Sequence, residues 1–207
     1  MSKEKKHRVA IVGCGNVGRF AAHAILASKD LELVGMVRRP TSLHANVPPE
    51  LASIPVVSSI EGLDHVEVAC LAVPTRQVPK YAKEILNLGI NTVDSYNIHQ
   101  ELVHVKKTLD SIARQKGSVA VISAGWDPGT DSLIRVILEI MAPLGITTIN
   151  FGPGMSMGHT TAVKAIPGVK DAIAVTYPKG SGVHRRMVYV ELYEGADFDM
   201  VREAIIT

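Results

Sequence analysis

The run Gly13-Cys14-Gly15-Asn16-Val17-Gly18 constrains this chain's fold more than any other stretch. It follows an apolar run at residues 8–12. It opens residues 16–28, where Val17, Phe20, Ala21, Ala24 and Ile25 recur at helical spacing. Strand, glycine turn and helix in that order form the context in which a glycine fingerprint holds a dinucleotide. Gly13 permits the tight turn, Gly15 lets the backbone approach a pyrophosphate, and Gly18 lets helix and strand pack closely. Asn16 and Val17 stand at the helix start, where an anion rests on the N-terminus.

The pattern continues along the chain. Apolar runs at 31–37, 66–73, 91–95 and 118–123 read as strands, and 77–88 and 100–116 read as helices. That alternation predicts an α/β fold: a doubly wound parallel sheet of the Rossmann type, with helices on both faces. After about Gly125 the character changes. A helix is expected at 131–142, a strand at 147–151, and a loop rich in Gly and Met at 152–159. Strands that look antiparallel follow at 172–177 and 185–192, then a last helix at 196–206. We therefore expect a cofactor domain over 1–123 and an α+β region on a mixed sheet over 124–207.

The second strand discriminates between cofactors. NAD enzymes place an acidic residue about 20 residues beyond the fingerprint, where it accepts from the ribose hydroxyl. Here that zone holds Arg38 and Arg39. Guanidiniums pair with a 2′-phosphate, so NADP is the expected cofactor; the bland alternative is a surface arginine pair. Ligands of such sheets bind beyond the carboxyl ends of the strands. Pro74 and Thr75, and the segment Asp94-Ser95-Tyr96-Asn97, are therefore expected at the mouth of the site.

Apolar residues make up 46% and charged residues 20%, a globular balance, with a formal net charge of +2. The cluster Lys3, Lys5, Lys6, His7 and Arg8 is too short to track a nucleic-acid backbone and reads as a solvated leader. No run reaches membrane-span length, and no apolar signal core opens the chain. Cys14 and Cys70 lie in or beside apolar strands, which fits reduced thiols in the cytoplasm. Neither has a Cys or His at ligand spacing, so no metal site is expected.

Ser123-Ala124-Gly125-Trp126-Asp127-Pro128-Gly129 follows another strand end and carries the single tryptophan. Phe151-Gly152-Pro153-Gly154-Met155-Ser156-Met157-Gly158-His159 is a second glycine-rich turn, and His184-Arg185-Arg186 opens a later strand. Together with the Gly-Asn-Val-Gly turn, Arg38-Arg39 and residues 93–99, this set resembles the meso-diaminopimelate dehydrogenase family. The resemblance runs across essentially the whole chain.

It implies a cytoplasmic homodimer of lysine metabolism with meso-diaminopimelate as its small-molecule substrate. The D-centre would give its hydride to NADP. The imine would hydrolyse, and L-2-amino-6-oxopimelate and ammonia would leave. Asp94 and Asp127 match the family positions that face the reacting amine, and Trp126 would shape the pocket around the D-centre. Phe151, Met157 and Gly158 match pocket positions; Thr176 and Arg186 match groups that hold the distal carboxylate. Arg185 and Arg186 are adjacent on an expected strand and point to opposite faces, and Arg186 is the one expected at the substrate. The family's chain continues past Thr207 and supplies a further histidine and asparagine, so residues 124–207 would form part of a substrate-binding and dimerisation domain.

Other readings of single residues stay open. Asp94 could cap the next turn, Trp126 could be core, and Met155 and Met157 could be packing. His159 could cap the following helix, and His99 could be structural. A nucleotide-binding module without catalysis is the competing function. A reductase of the same pathway would show a histidine-rich substrate loop, which this chain lacks.

Overall fold

A computed structural model describes residues 5–43, 48–145, 154–180 and 183–206. By contacts the chain divides into two compact units, Met1–Leu144 and Gly145–Thr207. This division lies beyond residue 124. The segment that follows the last parallel strand is hydrogen-bonded back onto the sheet, through Ala124 N–H to the Asp94 carbonyl at 2.7 Å.

In the first unit, β1 (His7–Val12), β2 (Leu31–Val37), β3 (Val56–Val57), β4 (Val68–Leu71), β5 (Asn91–Asp94) and β6 (Ala120–Val121) form one sheet in the order β3-β2-β1-β4-β5-β6. Every pairing in it is parallel. The two-residue β3 was not expected from the sequence; a strand that short carries no periodicity. The chain reverses direction across the sheet between β1 and β4, and ligands of open α/β sheets bind at such a switch point.

Burial explains why β1 is unbroken apolar from Val9 to Val12. Val9 and Ile11 face one core, with Ala22 and Ile25 of α1 (Asn16–Ala27). Ala10 and Val12 face the other, with Ala82, Ile85 and Leu86 of α2 (Val78–Asn87) and Val105 and Leu109 of α3 (Leu102–Lys116). Side chains alternate across a strand, so a strand covered on both faces must be apolar throughout. Each fully buried aliphatic side chain contributes about 1.5–3 kcal/mol. Helix α4 (Thr130–Met141) closes the unit.

In the second unit, β7 (Gly154–Met155), β8 (Val169–Gly180) and β9 (Val183–Leu192) form a three-stranded sheet in that order. Both described pairings are antiparallel, where a mixed sheet was expected. The strand expected at 147–151 lies outside the described residues. Helices α5 (Met157–Lys164) and α6 (Phe198–Ile206) cover one face, where Val163 and Val201 pack with Val169 and Ala172. Among the described residues no helix is long and apolar enough to cross a membrane.

Candidate functional site

The turn after β1 is built by close approaches that only glycine allows. Gly13 has φ +104°, and a Cβ there would lie 2.3 Å from the Ala72 carbonyl oxygen. A Cβ on Gly18 would lie 2.0 Å from the Gly13 carbonyl oxygen. Gly15 differs: its Cβ would meet nothing within 4 Å, so its backbone faces open space. Gly15 is also the N-cap of α1, with no side-chain cap and no acidic residue in the first turn. Amide N–H groups at a helix start lack intrahelical acceptors and attract anions. Asn16 and Val17 are exposed there.

A cleft of about 400 Å³ opens beyond this turn, lined by Gly13, Gly15, Arg38, Arg39, Val73 and Pro74 among others. Arg38 is half-buried and Arg39 exposed. An open glycine backbone at a helix N-terminus, with cationic side chains on the rim, fits a phosphorylated dinucleotide. Cys14 also lines the cleft; burial pushes its thiol up, partly offset by the Arg38 charge.

The ends of β4 and β5 are joined above the sheet. Thr75 Oγ1 accepts the Asn97 N–H at 3.3 Å. Tyr96, expected at the cofactor, is fully buried, and its hydroxyl donates to Glu101 at 2.6 Å. Burial, then the Glu101 contact, push that hydroxyl up to about 12. The Tyr96 ring is therefore core, and only its backbone is left to meet a ligand.

Asp94 ends β5 and is 4% exposed. Its Oδ1 accepts two backbone N–H groups, from Tyr96 at 2.9 Å and Ser123 at 3.2 Å. Its Oδ2 is buried with no partner among the described residues. Burial raises the Asp94 pKa against the two N–H donors. On β4, next to Leu71, the register partner of Asp94, Cys70 is pushed up by its own burial and then by the Asp94 charge. Ser123, just past β6, sits at φ +60°, a left-handed conformation that costs an L-residue roughly 1–2 kcal/mol. The Asp94 contact and a bond from Ser123 Oγ to the Tyr96 carbonyl at 2.9 Å hold it there.

The turn 125–129 carries Trp126 and Asp127. Gly129 closes it at φ +145°, where a Cβ would lie 2.0 Å from the Gly125 carbonyl oxygen. Thr130 N–H bonds the Gly125 carbonyl at 3.0 Å, and Asp131 N–H bonds the Trp126 carbonyl at 2.9 Å. Both chemistry-bearing side chains point outward: Trp126 is 57% exposed, and Asp127 is exposed. His99 Nε2 and Arg135 Nη2 each lie 3.9 Å from an Asp127 oxygen. Arg135 is gripped in turn by buried Asp131 at 2.6 Å. Sequence reading missed Ser123 and Arg135. The Asp131/Arg135 spacing of four on a helix was an available signal for the second.

The second unit holds its own group. Gly154, Thr176 and Arg186 are register partners across β7, β8 and β9. Thr176 shares its face of β8 with Ala172 and Ala174, the helix-covered face; Arg185 pairs with Tyr177 on the other. Helix α5 starts at Met157 inside the expected loop, with Ser156 as N-cap. His159 lies in the first turn, its Nδ1 2.6 Å from Ser156 Oγ, rather than capping the helix. Burial, then the Arg186 charge, lower its pKa. Gly158 is exposed. Phe151 lies outside the described residues.

Comparison with known proteins decides the family. The profile described as an oxidoreductase family with an NAD-binding Rossmann fold matches residues 7–122. The profile of the diaminopimelic acid dehydrogenase C-terminal domain matches residues 125–207. The meso-diaminopimelate D-dehydrogenase of Bacteroides fragilis is 55% identical over 97% of this chain and 67% of its own length. The chain belongs to the meso-diaminopimelate D-dehydrogenase family. The C. glutamicum DAP dehydrogenase, solved in complex with DAP, superposes with a TM-score of 0.77 at 29% identity, over 98% of this chain and 67% of that one. An engineered D-amino acid dehydrogenase bound to NADP+ gives 0.75 at 25% identity, over 96% and 66%. The chain thus spans about two thirds of the length of these family members.

Proposed function

We propose that the chain performs the NADP-dependent, reversible oxidative deamination of the D-centre of meso-2,6-diaminopimelate, giving L-2-amino-6-oxopimelate and ammonia. The observation that carries this reading is the conjunction of an arginine-rimmed dinucleotide cleft with two carboxylates, Asp94 and Asp127, at adjoining strand ends. Family membership supplies the substrate.

Residues 13–18 would receive the pyrophosphate, with Pro74, Thr75 and the backbone of Tyr96 and Asn97 along the strand ends. Arg38 and Arg39 would receive a 2′-phosphate, which is the basis for preferring NADP to NAD. When bound, NADP supplies the acceptor for the D-carbon hydride. Asp127 is open to solvent and can hold the substrate ammonium and take its proton. Asp94 Oδ2 is an acceptor without a partner among the described residues and offers a second point for the amine. With the amine deprotonated, its nitrogen lone pair forms the C=N bond as the D-carbon gives up its hydride, which leaves an iminium that water hydrolyses to the oxo group, ammonia and a proton. Trp126 would wall the D-centre, with Phe151, Met157 and Gly158 as further pocket residues. Arg186 suits the distal carboxylate because its fork binds carboxylate in bidentate fashion, with Thr176 beside it in register. In this reading the protein is a cytoplasmic homodimer.

NADPH formation with the meso, LL and DD isomers tests the proposal. Turnover is expected with meso and DD and not with LL. Comparable turnover of the LL isomer would refute the pocket assignment. Asp127→Asn is expected to lose at least about 100-fold in kcat, the low end of what a positioned proton acceptor contributes (roughly 100- to 10,000-fold).

A further inference from the structure

Two non-glycine residues among those described have positive φ, His65 and Ser123. His65 lies in the connection before β4, whereas Ser123 lies between the two proposed amine-binding carboxylates in sequence and bonds directly to the first of them, Asp94. Strain of this kind persists only where the surroundings over-determine it. Here they do. Ser123 N–H reaches Asp94 Oδ1 at 3.2 Å, Ser123 Oγ reaches the Tyr96 carbonyl at 2.9 Å, and the next N–H, of Ala124, reaches the Asp94 carbonyl at 2.7 Å. Tyr96 N–H takes the same Oδ1 at 2.9 Å. Both donors thus converge on one oxygen, which fixes the carboxyl plane and leaves Oδ2 as the oxygen without a partner. Beyond Ser123 the chain passes directly into the turn that carries Trp126 and Asp127.

We propose that Ser123 is a positioning residue: its left-handed backbone orients Asp94 so that Oδ2 alone remains for the substrate amine, and sets the Trp126–Asp127 turn in register with it. The inference rests on the reading of Asp94 and Asp127 given above. A residue free to relax would let the carboxyl rotate and would separate the two acceptors. The charged and titratable groups around Asp94 are Cys70 on β4 and Tyr96 in the loop, with Glu101 and Arg76 acting on Tyr96. The Cys70 thiol and Tyr96 hydroxyl are both pushed up, away from the acid range.

Ser123→Gly separates positioning from stability. It relieves the backbone strain and keeps the N–H, but loses the hydroxyl and lets the segment rotate. Ser123→Asn is the conservative rescue, because Asn tolerates the left-handed region and can donate to the Tyr96 carbonyl. Two readouts are taken on the full chain. The first is the carboxyl ¹³C titration of Asp94, assigned by its loss in Asp94→Asn. The second is kcat and KM for meso-diaminopimelate. Ser123→Gly is expected to keep the wild-type Tm, to raise the Asp94 titration midpoint as the segment, no longer held by the hydroxyl, rotates its backbone N–H away from Oδ1, and to lower kcat about tenfold with little change in KM. Ser123→Asn should restore both. A wild-type titration midpoint and kcat in Ser123→Gly would overturn the inference. If Asp94→Asn and Asp127→Asn themselves turn over at the wild-type rate, the reading of the site falls, and the inference falls with it.

Discussion

Replacing Arg38 and Arg39 by alanine should change cofactor choice more than cofactor affinity. Both arginines line the cleft that begins at the glycine turn, and NAD lacks the 2′-phosphate they are proposed to bind. A hydrogen bond to a charged group contributes about 1.5–3 kcal/mol, which is about 10- to 150-fold in affinity. Arg38 is half-buried and less screened, so Arg38→Ala should fall within that range for NADP. Arg39 is exposed, and exposed charge pairs contribute about 1 kcal/mol or less, so Arg39→Ala should cost under about tenfold. NAD affinity is the internal control: side-chain loss that merely disturbs the cleft weakens both cofactors equally. Isothermal titration of each variant with NADP and NAD gives the two numbers directly. Equal wild-type affinities, or equal losses for both cofactors in the double variant, would refute the phosphate-binding role.

Gly18→Ala forces a Cβ to within 2.0 Å of the Gly13 carbonyl oxygen, so α1 must move off β1; NADP binding should fall more than about tenfold, measured by the same titration. Tyr96→Phe removes the 2.6 Å bond to Glu101, whose carboxylate can still reach water, and should cost about 0.5–1.5 kcal/mol in urea unfolding. Asp94→Asn should alter the pH dependence of stability. Burial raises the Asp94 pKa in the folded state, so its favourable contribution is complete below the unfolded value of about 3.9 and is lost as pH rises through the folded value. Stability of wild type relative to Asp94→Asn should therefore fall from acid toward neutral pH; a constant gap in urea unfolding would contradict the burial argument.

The first unit was legible because its signals are local and redundant. In β1 both faces are buried from Val9 to Val12, and that stretch is wholly apolar. The glycine turn needs glycine at particular positions for steric reasons, and those glycines stand in the sequence. The second unit was less so. Helix α5 begins at Met157 within what reads as a glycine loop; Gly158, Thr160 and Thr161 are poor helix formers, and its start is marked by little beyond Ser156. Strand β8 runs from Val169 to Gly180, longer than the expected 172–177, because Pro178 and Gly180 read as breakers. The antiparallel β8–β9 pairing was legible because the two strands are consecutive and meet at Gly180 and Val183; the pairing of the short β7 with β8 joins residues about 20 apart, which no local pattern encodes.

At the site, residue types were legible and their satisfaction was not. Polar residues at strand ends are visible in a sequence, so Asp94, Thr75 and Asp127 stood out. Nothing in the letters shows that Tyr96 turns inward to Glu101, that Asp94 Oδ2 is buried without a partner, or that Ser123 is held at φ +60°. Serine carries no left-handed preference of the kind that marks glycine, so its strain has no sequence signature. These departures from local preference gather at the ends of β5 and β6. A folded chain offsets an unpartnered carboxylate oxygen and a strained backbone only with stability drawn from elsewhere, here the two cores that flank the sheet. Their clustering follows if the strand ends are kept for a ligand: a substrate amine would donate to Oδ2, and binding would then satisfy the group that folding leaves unsatisfied.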